Sequence, residues 1–156
     1  MPPVPHVTVS SRASEDRGDA RGWVNVLEGV PLFAGLSRRH LKKVAGLGKL
    51  RRFHQGAAVV RAGSPGDALY VVLDGEVLVQ RPGLPGLALG SGSFFGEMAL
   101  LDSGARSATV VASGPVVCLA IEQSRFLKLV RAEPAIAVEL LKEIASRLRA
   151  VQSAAS

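Results

Sequence analysis

From about residue 47 to 122 the chain is cut into short apolar runs, LGKLRRF, AAVVRA, ALYVVLD, GEVLVQR, LALG, SATVVA and VVCLAIE, parted by Gly and Pro. Several short strands at such spacing predict an antiparallel sandwich or barrel. The separators carry turn chemistry. Gly63-Ser64-Pro65-Gly66-Asp67 is one such turn, and Asp74-Gly75 is a pair suited to a tight hairpin.

Both flanks change to helical period. Trp23, Val26, Leu27 and Val30 recur at helix spacing until Pro31 interrupts. Ser37 is placed as the N-cap of a helix over about 38 to 46, with Leu41, Val44 and Ala45 facing inward. A short helix over 123 to 132 precedes Pro134, which suits the first turn of a final helix reaching about residue 151. That helix carries Ile136, Leu140, Ile144, Leu148 and Val151 on one stripe, which needs an apolar cover. Residues 1 to about 22 mix Pro, Ser, Arg, Asp and Gly with few large apolar groups and are expected to form a disordered tail, leaving 23–156 as the folded domain. With 156 residues, 47% of them hydrophobic, one core is expected. The expected fold class is mainly β with flanking α: an antiparallel β-roll, a jelly-roll-like barrel, capped by N-terminal and C-terminal helices.

The chemistry concentrates in Gly92-Ser93-Phe94-Phe95-Gly96-Glu97-Met98-Ala99-Leu100-Leu101-Asp102-Ser103-Gly104-Ala105-Arg106-Ser107-Ala108. Glycine at 96 lets the backbone approach a ligand, and the helix-forming stretch from Glu97 points its first N–H groups at an anion. Arg106 adds a bidentate donor for phosphate oxygens, while the Glu97 carboxylate accepts from a hydroxyl. A ribose 3′,5′-cyclic phosphate presents that combination of anion and hydroxyl.

FFGEMALLDSGARSATV resembles the phosphate-binding cassette of the cyclic nucleotide-binding domain family, which includes kinase A regulatory subunits, bacterial catabolite activators and cyclic-nucleotide-gated channels. The resemblance extends to the Gly63–Asp67 turn, Asp74-Gly75, the VPLFAGL segment and the paired C-terminal helices, roughly residues 24 to 151. It implies Glu97 on the ribose 2′-hydroxyl and Arg106 on the cyclic phosphate. It also implies that Phe95 and the backbone of Gly96, Met98, Ala99 and Leu100 complete the cradle, with Ser107 and Ala108 adjoining the phosphate. By position in the final helix, Arg147 is the candidate lid over the purine. The implied activity is that of a non-enzymatic sensor that signals by rearranging its C-terminal helix. The ligand is expected to be cAMP ahead of cGMP, although a hydroxyl residue after the arginine, here Ser107, contacts guanine in relatives that prefer cGMP. The competing reading is a ligand-independent protein–protein interaction module of the same fold, with Glu97 paired to Arg106, and with Arg147 in an ordinary helix ion pair with Glu143.

Other chemistries find no support. The glycines from Gly90 to Gly96 lack the spacing and the strand-helix-strand context of a dinucleotide fingerprint, and no P-loop lysine follows. His6, His40 and His54 are scattered, without clustered metal ligands, so no metal or cofactor is expected. Cys118 in VVCLAI reads as a core thiol. No apolar run approaches the roughly 20 residues of a membrane span, and a cytoplasmic location is expected. The net charge of +6 suggests an anionic partner, and Arg38, Arg39, Lys42, Lys43, Lys49, Arg51 and Arg52 are open to two readings, a partner surface for a protein effector or a solvated face. No helix-turn-helix follows the final helix, so sequence-specific nucleic-acid binding is not expected.

Overall fold

The computed structural model describes residues 20–155. Helix α1 (Ala20–Leu27), a 3₁₀ turn (Pro31–Phe33) and α2 (Arg38–Ala45) lead into eight strands. The strands are β1 (Lys49–Phe53), β2 (Ala58–Val60), β3 (Ala68–Asp74), β4 (Val77–Gln80), β5 (Leu87–Leu89), β6 (Phe94–Phe95), β7 (Thr109–Ala112) and β8 (Val116–Glu122). A second 3₁₀ turn (Glu97–Leu100) lies between β6 and β7, and α3 (Gln123–Ala132) and α4 (Pro134–Ala155) close the order.

Two four-stranded antiparallel sheets, β1-β8-β3-β6 and β2-β7-β4-β5, face one another. The expected antiparallel roll with helical caps is present, but among the described residues the strands do not close into a barrel. Strands β3 and β8 partition the interior. Leu69, Val71, Leu119 and Ile121 point to the helices, joining Trp23, Leu27, Phe33, Val44, Phe126 and Ile136 in one core. Their alternate neighbours Ala68, Tyr70, Val72, Cys118 and Ala120 point to the second sheet, with Val77, Val110 and Ala112. The period of two thus feeds both cores from one strand, which is why ALYVVLD reads as almost unbroken apolar sequence.

Ser37 caps α2 as expected, its Oγ accepting from the His40 N–H at 3.1 Å, and Leu41, Val44 and Ala45 are buried. Such a cap is worth about 1 kcal/mol. Burial pushes the Cys118 thiol up to about 12, as fits a core residue.

Four expectations are corrected. Asp74-Gly75 is not a hairpin: β3 and β4 belong to different sheets, and the pair turns the chain from one layer to the other. Gly75 has φ +96°, and a side chain there would overlap the Pro115 carbonyl, so the corner requires glycine. The tail expected over 1–22 lies outside the described residues as far as 19, but Ala20 already begins α1, three residues ahead of Trp23. On that helix Val24 is fully buried while Val26 is only partly so. The stripe on α4 is covered only in its first half: Ile136 and Leu140 are buried and Ile144 partly so, whereas Leu148 and Val151 are 57% and 65% exposed.

The basic stretch is largely paired. Arg38 meets Glu28 at 3.0 Å, Lys43 meets Glu133 at 2.6 Å with Arg39 and His40 beside it, and Lys49 meets Glu122 at 3.6 Å. The Lys43 hydrogen bond holds the Glu133 carboxyl below its usual range. These contacts favour the solvated-face reading, since the acids lie elsewhere in sequence and were invisible to a local charge count.

Candidate functional site

A cavity of about 500 Å³ opens beside β6 and the second 3₁₀ turn, lined in part by Phe95, Gly96, Glu97, Met98, Ala99, Arg106, Ser107 and Ala108. Eight of the ten candidate residues thus share one space. Leu100 does not, being fully buried in the helical core, and Arg147 stands outside the lining.

The turn 63–66 is strapped to the end of the cassette. Gly63 N–H donates to the Arg106 carbonyl at 2.9 Å, Arg106 N–H to Ser64 at 2.7 Å, and Gly66 N–H to Gly104 at 3.0 Å. This strap fixes the backbone of Arg106, whose side chain is only 8% exposed. Its Nη2 donates to the Ala68 carbonyl at 2.9 Å and lies 3.6 Å from Asp67, and the guanidinium lies 5.9 Å from the Tyr70 ring centre. Tyr70 in turn stacks on Phe95 at 5.4 Å. Asp67 is 81% exposed, so solvent screens that pair and it offsets little of the desolvation of the cation. A guanidinium has five N–H donors, and one carbonyl with one distant acid leaves this one able to receive an anion from the cavity. Gly96, at φ +81°, lies over it: a β-carbon there would meet Arg106 Nη1 and, at 2.8 Å, the Ala68 carbonyl.

Glu97 does not pair with Arg106. Its Oε2 accepts from the Leu32 N–H at 3.2 Å, and Arg147 Nη1 and Nη2 donate to its two oxygens at 3.4 and 3.3 Å. Arg147 also donates through Nε to Glu143 at 3.3 Å, so the ordinary helix pair forms together with the long-range one. The Glu97 hydrogen bond raises the Arg147 pKa further. One carboxylate, 15% exposed, therefore ties the cavity to the first 3₁₀ turn and to α4. The Ala99 N–H is already bonded to the Gly96 carbonyl at 3.0 Å within the 3₁₀ turn.

Sequence reasoning missed Asp67, Ala68 and Tyr70 as the support of Arg106, and Gln123, whose Nε2 donates to the Ala99 carbonyl at 2.8 Å. Asp67 stood inside the quoted turn; the others carry no local signal, because their contacts arise from strand pairing. No group of His, Cys, Asp and Glu able to hold a metal occurs among the described residues. No helix among them is long and apolar enough to cross a membrane.

Comparison with known proteins agrees with this geometry. The family model described as "Cyclic nucleotide-binding domain" matches residues 50–133. A cyclic AMP receptor protein of Thermus thermophilus is 38% identical over 79% of this chain and 59% of its own length. A cyclic nucleotide-gated potassium channel of Mesorhizobium japonicum is 37% identical over 88% of this chain and 38% of its own. The chain thus spans less than two thirds of these relatives. Among solved structures, the N-terminal domain of a Streptomyces coelicolor transcriptional regulator superposes with a TM-score of 0.74 at 31% identity, covering 83% of this chain and 96% of that one. The cassette geometry, the strand order and these matches together place the chain in the cyclic nucleotide-binding domain family.

Proposed function

We propose that this chain is a non-enzymatic sensor that binds a 3′,5′-cyclic mononucleotide and reports it through α4. The observation that carries the reading is Arg106, a buried guanidinium held beneath Gly96 with donors left for an anion, in the same cavity as the Glu97 carboxylate. Arg106 takes the cyclic phosphate and Glu97 the ribose 2′-hydroxyl; Met98 and the apolar walls receive the base. The relatives named above are called after cyclic AMP and cyclic nucleotides, which supports the ligand class. Thermal melting tests it: a ligand that favours the native state raises the midpoint. A rise with cAMP or cGMP supports the proposal, and no rise with either favours the ligand-independent interaction module.

Reporting through α4 follows from Glu97. A hydroxyl that engages this carboxylate changes what Arg147 is bonded to, and a ligand moves α4 only by the difference in its affinity for the two positions. The exposed Leu141, Leu148 and Val151 give a protein effector an apolar surface on the same helix. Removing the chain from Ser146 onward is expected to weaken nucleotide binding, and hydrogen exchange over 134–151 is expected to slow when nucleotide is added. Unchanged affinity on truncation together with unresponsive exchange would make α4 a fixed strut.

A further inference from the structure

The cavity has a second wall, on the β4–β5 side, that carries a cation of its own. Along β4 the side chains of one face run Val77, Val79 and, one residue past the strand, Arg81; Val77 is buried in the inter-sheet core while Val79 and Arg81 line the cavity. Val79 pairs with Leu87 across β5, and Gln80 pairs with Thr109 across β7, which sets Arg81 beside Ala108 and Ser107. Val60, Leu87, Leu89 and Val110 complete the apolar walls.

Arg81 and Arg106 are the two cations of this lining, and they differ in their commitments. Arg106 is held by Ala68 and Asp67. Arg81 is exposed, and no described acid lies within ion-pair distance of it. Its guanidinium is a fork of donors with no acceptor. Of the two purines, guanine offers that fork two acceptors, O6 and N7, whereas adenine offers N7 beside an amino group that is itself a donor.

We propose that Arg81 reads the base, so that the cavity prefers a guanine to an adenine cyclic nucleotide. This rests on the cyclic-nucleotide reading above and reverses the order expected from the sequence, where Ser107 bore on the choice of base and Arg147 was the lid over the purine. A plain electrostatic role is the competing account: an exposed cation near the mouth attracts any anion, whatever its base.

Titration calorimetry separates them, using cGMP, cAMP and cyclic inosine monophosphate, which keeps O6 and N7 but lacks the 2-amino group. The unmodified chain is expected to bind cGMP and cyclic inosine monophosphate about tenfold more tightly than cAMP, the scale of one bidentate arginine–guanine pair. Arg81→Ala, at an exposed position, is expected to keep its melting temperature and to abolish the preference by weakening those two ligands alone. An equal loss for all three, an unmodified chain without preference, or cyclic inosine monophosphate binding like cAMP would overturn the role of Arg81 while leaving the cyclic-nucleotide reading intact. Absence of binding by every ligand would remove that reading too.

Discussion

Arg106→Ala is expected to lose cyclic nucleotide affinity by tens to thousands of fold, as calorimetry would read it, in a protein that still folds. The side chain is 8% exposed and faces the cavity beneath Gly96. Truncating one partner of a buried charge pair costs about 2–5 kcal/mol, much of it from leaving the other charge unmatched. The free protein changes less, because the deletion removes an incompletely matched cation as well as its hydrogen bond to Ala68. Arg106→Lys keeps the charge without the fork and is expected to fall between the two. A folded Arg106→Ala protein with unchanged affinity would remove the phosphate from this site.

Gly96→Ala has the second largest expected effect, and acts twice. At φ +81° an alanine is strained by about 1–3 kcal/mol, which a chemical melt would detect as lost stability. Its methyl group also meets Arg106 Nη1 and the Ala68 carbonyl, so the guanidinium must leave its seat. Nucleotide affinity is therefore expected to fall about as far as in Arg106→Ala, with no charge removed. A variant that lost stability but bound normally would show that the seat of Arg106 is unimportant.

The elements most legible in the sequence were those whose signals are local. Ser37 followed by Leu41, Val44 and Ala45 states a capped amphipathic helix within nine residues. The cassette likewise keeps Gly96, Glu97 and Arg106 close in sequence, and the structure brings them to one cavity. What sequence reasoning missed depends on contacts between distant segments. Asp74-Gly75 has the same chemistry at a corner between sheets as in a hairpin, and the choice is made by the pairing of β3 with β8. Glu97 was expected to be free for a hydroxyl, yet it is shared with Leu32 and Arg147, 65 and 50 residues away. The cations from Arg38 to Lys49 looked unbalanced until Glu122 and Glu133 folded against them.

Titration calorimetry of the unmodified chain with cAMP, cGMP and 2′-deoxy-cAMP tests the central claim most directly, since it addresses the phosphate and the ribose together. A cyclic nucleotide is expected to bind at one site per chain, and the deoxy compound more weakly than cAMP by roughly 1.5–3 kcal/mol, the worth of a hydrogen bond to the charged Glu97 carboxylate. No binding of either cyclic nucleotide would contradict the account, and equal binding of cAMP and its deoxy form would contradict the role given to Glu97.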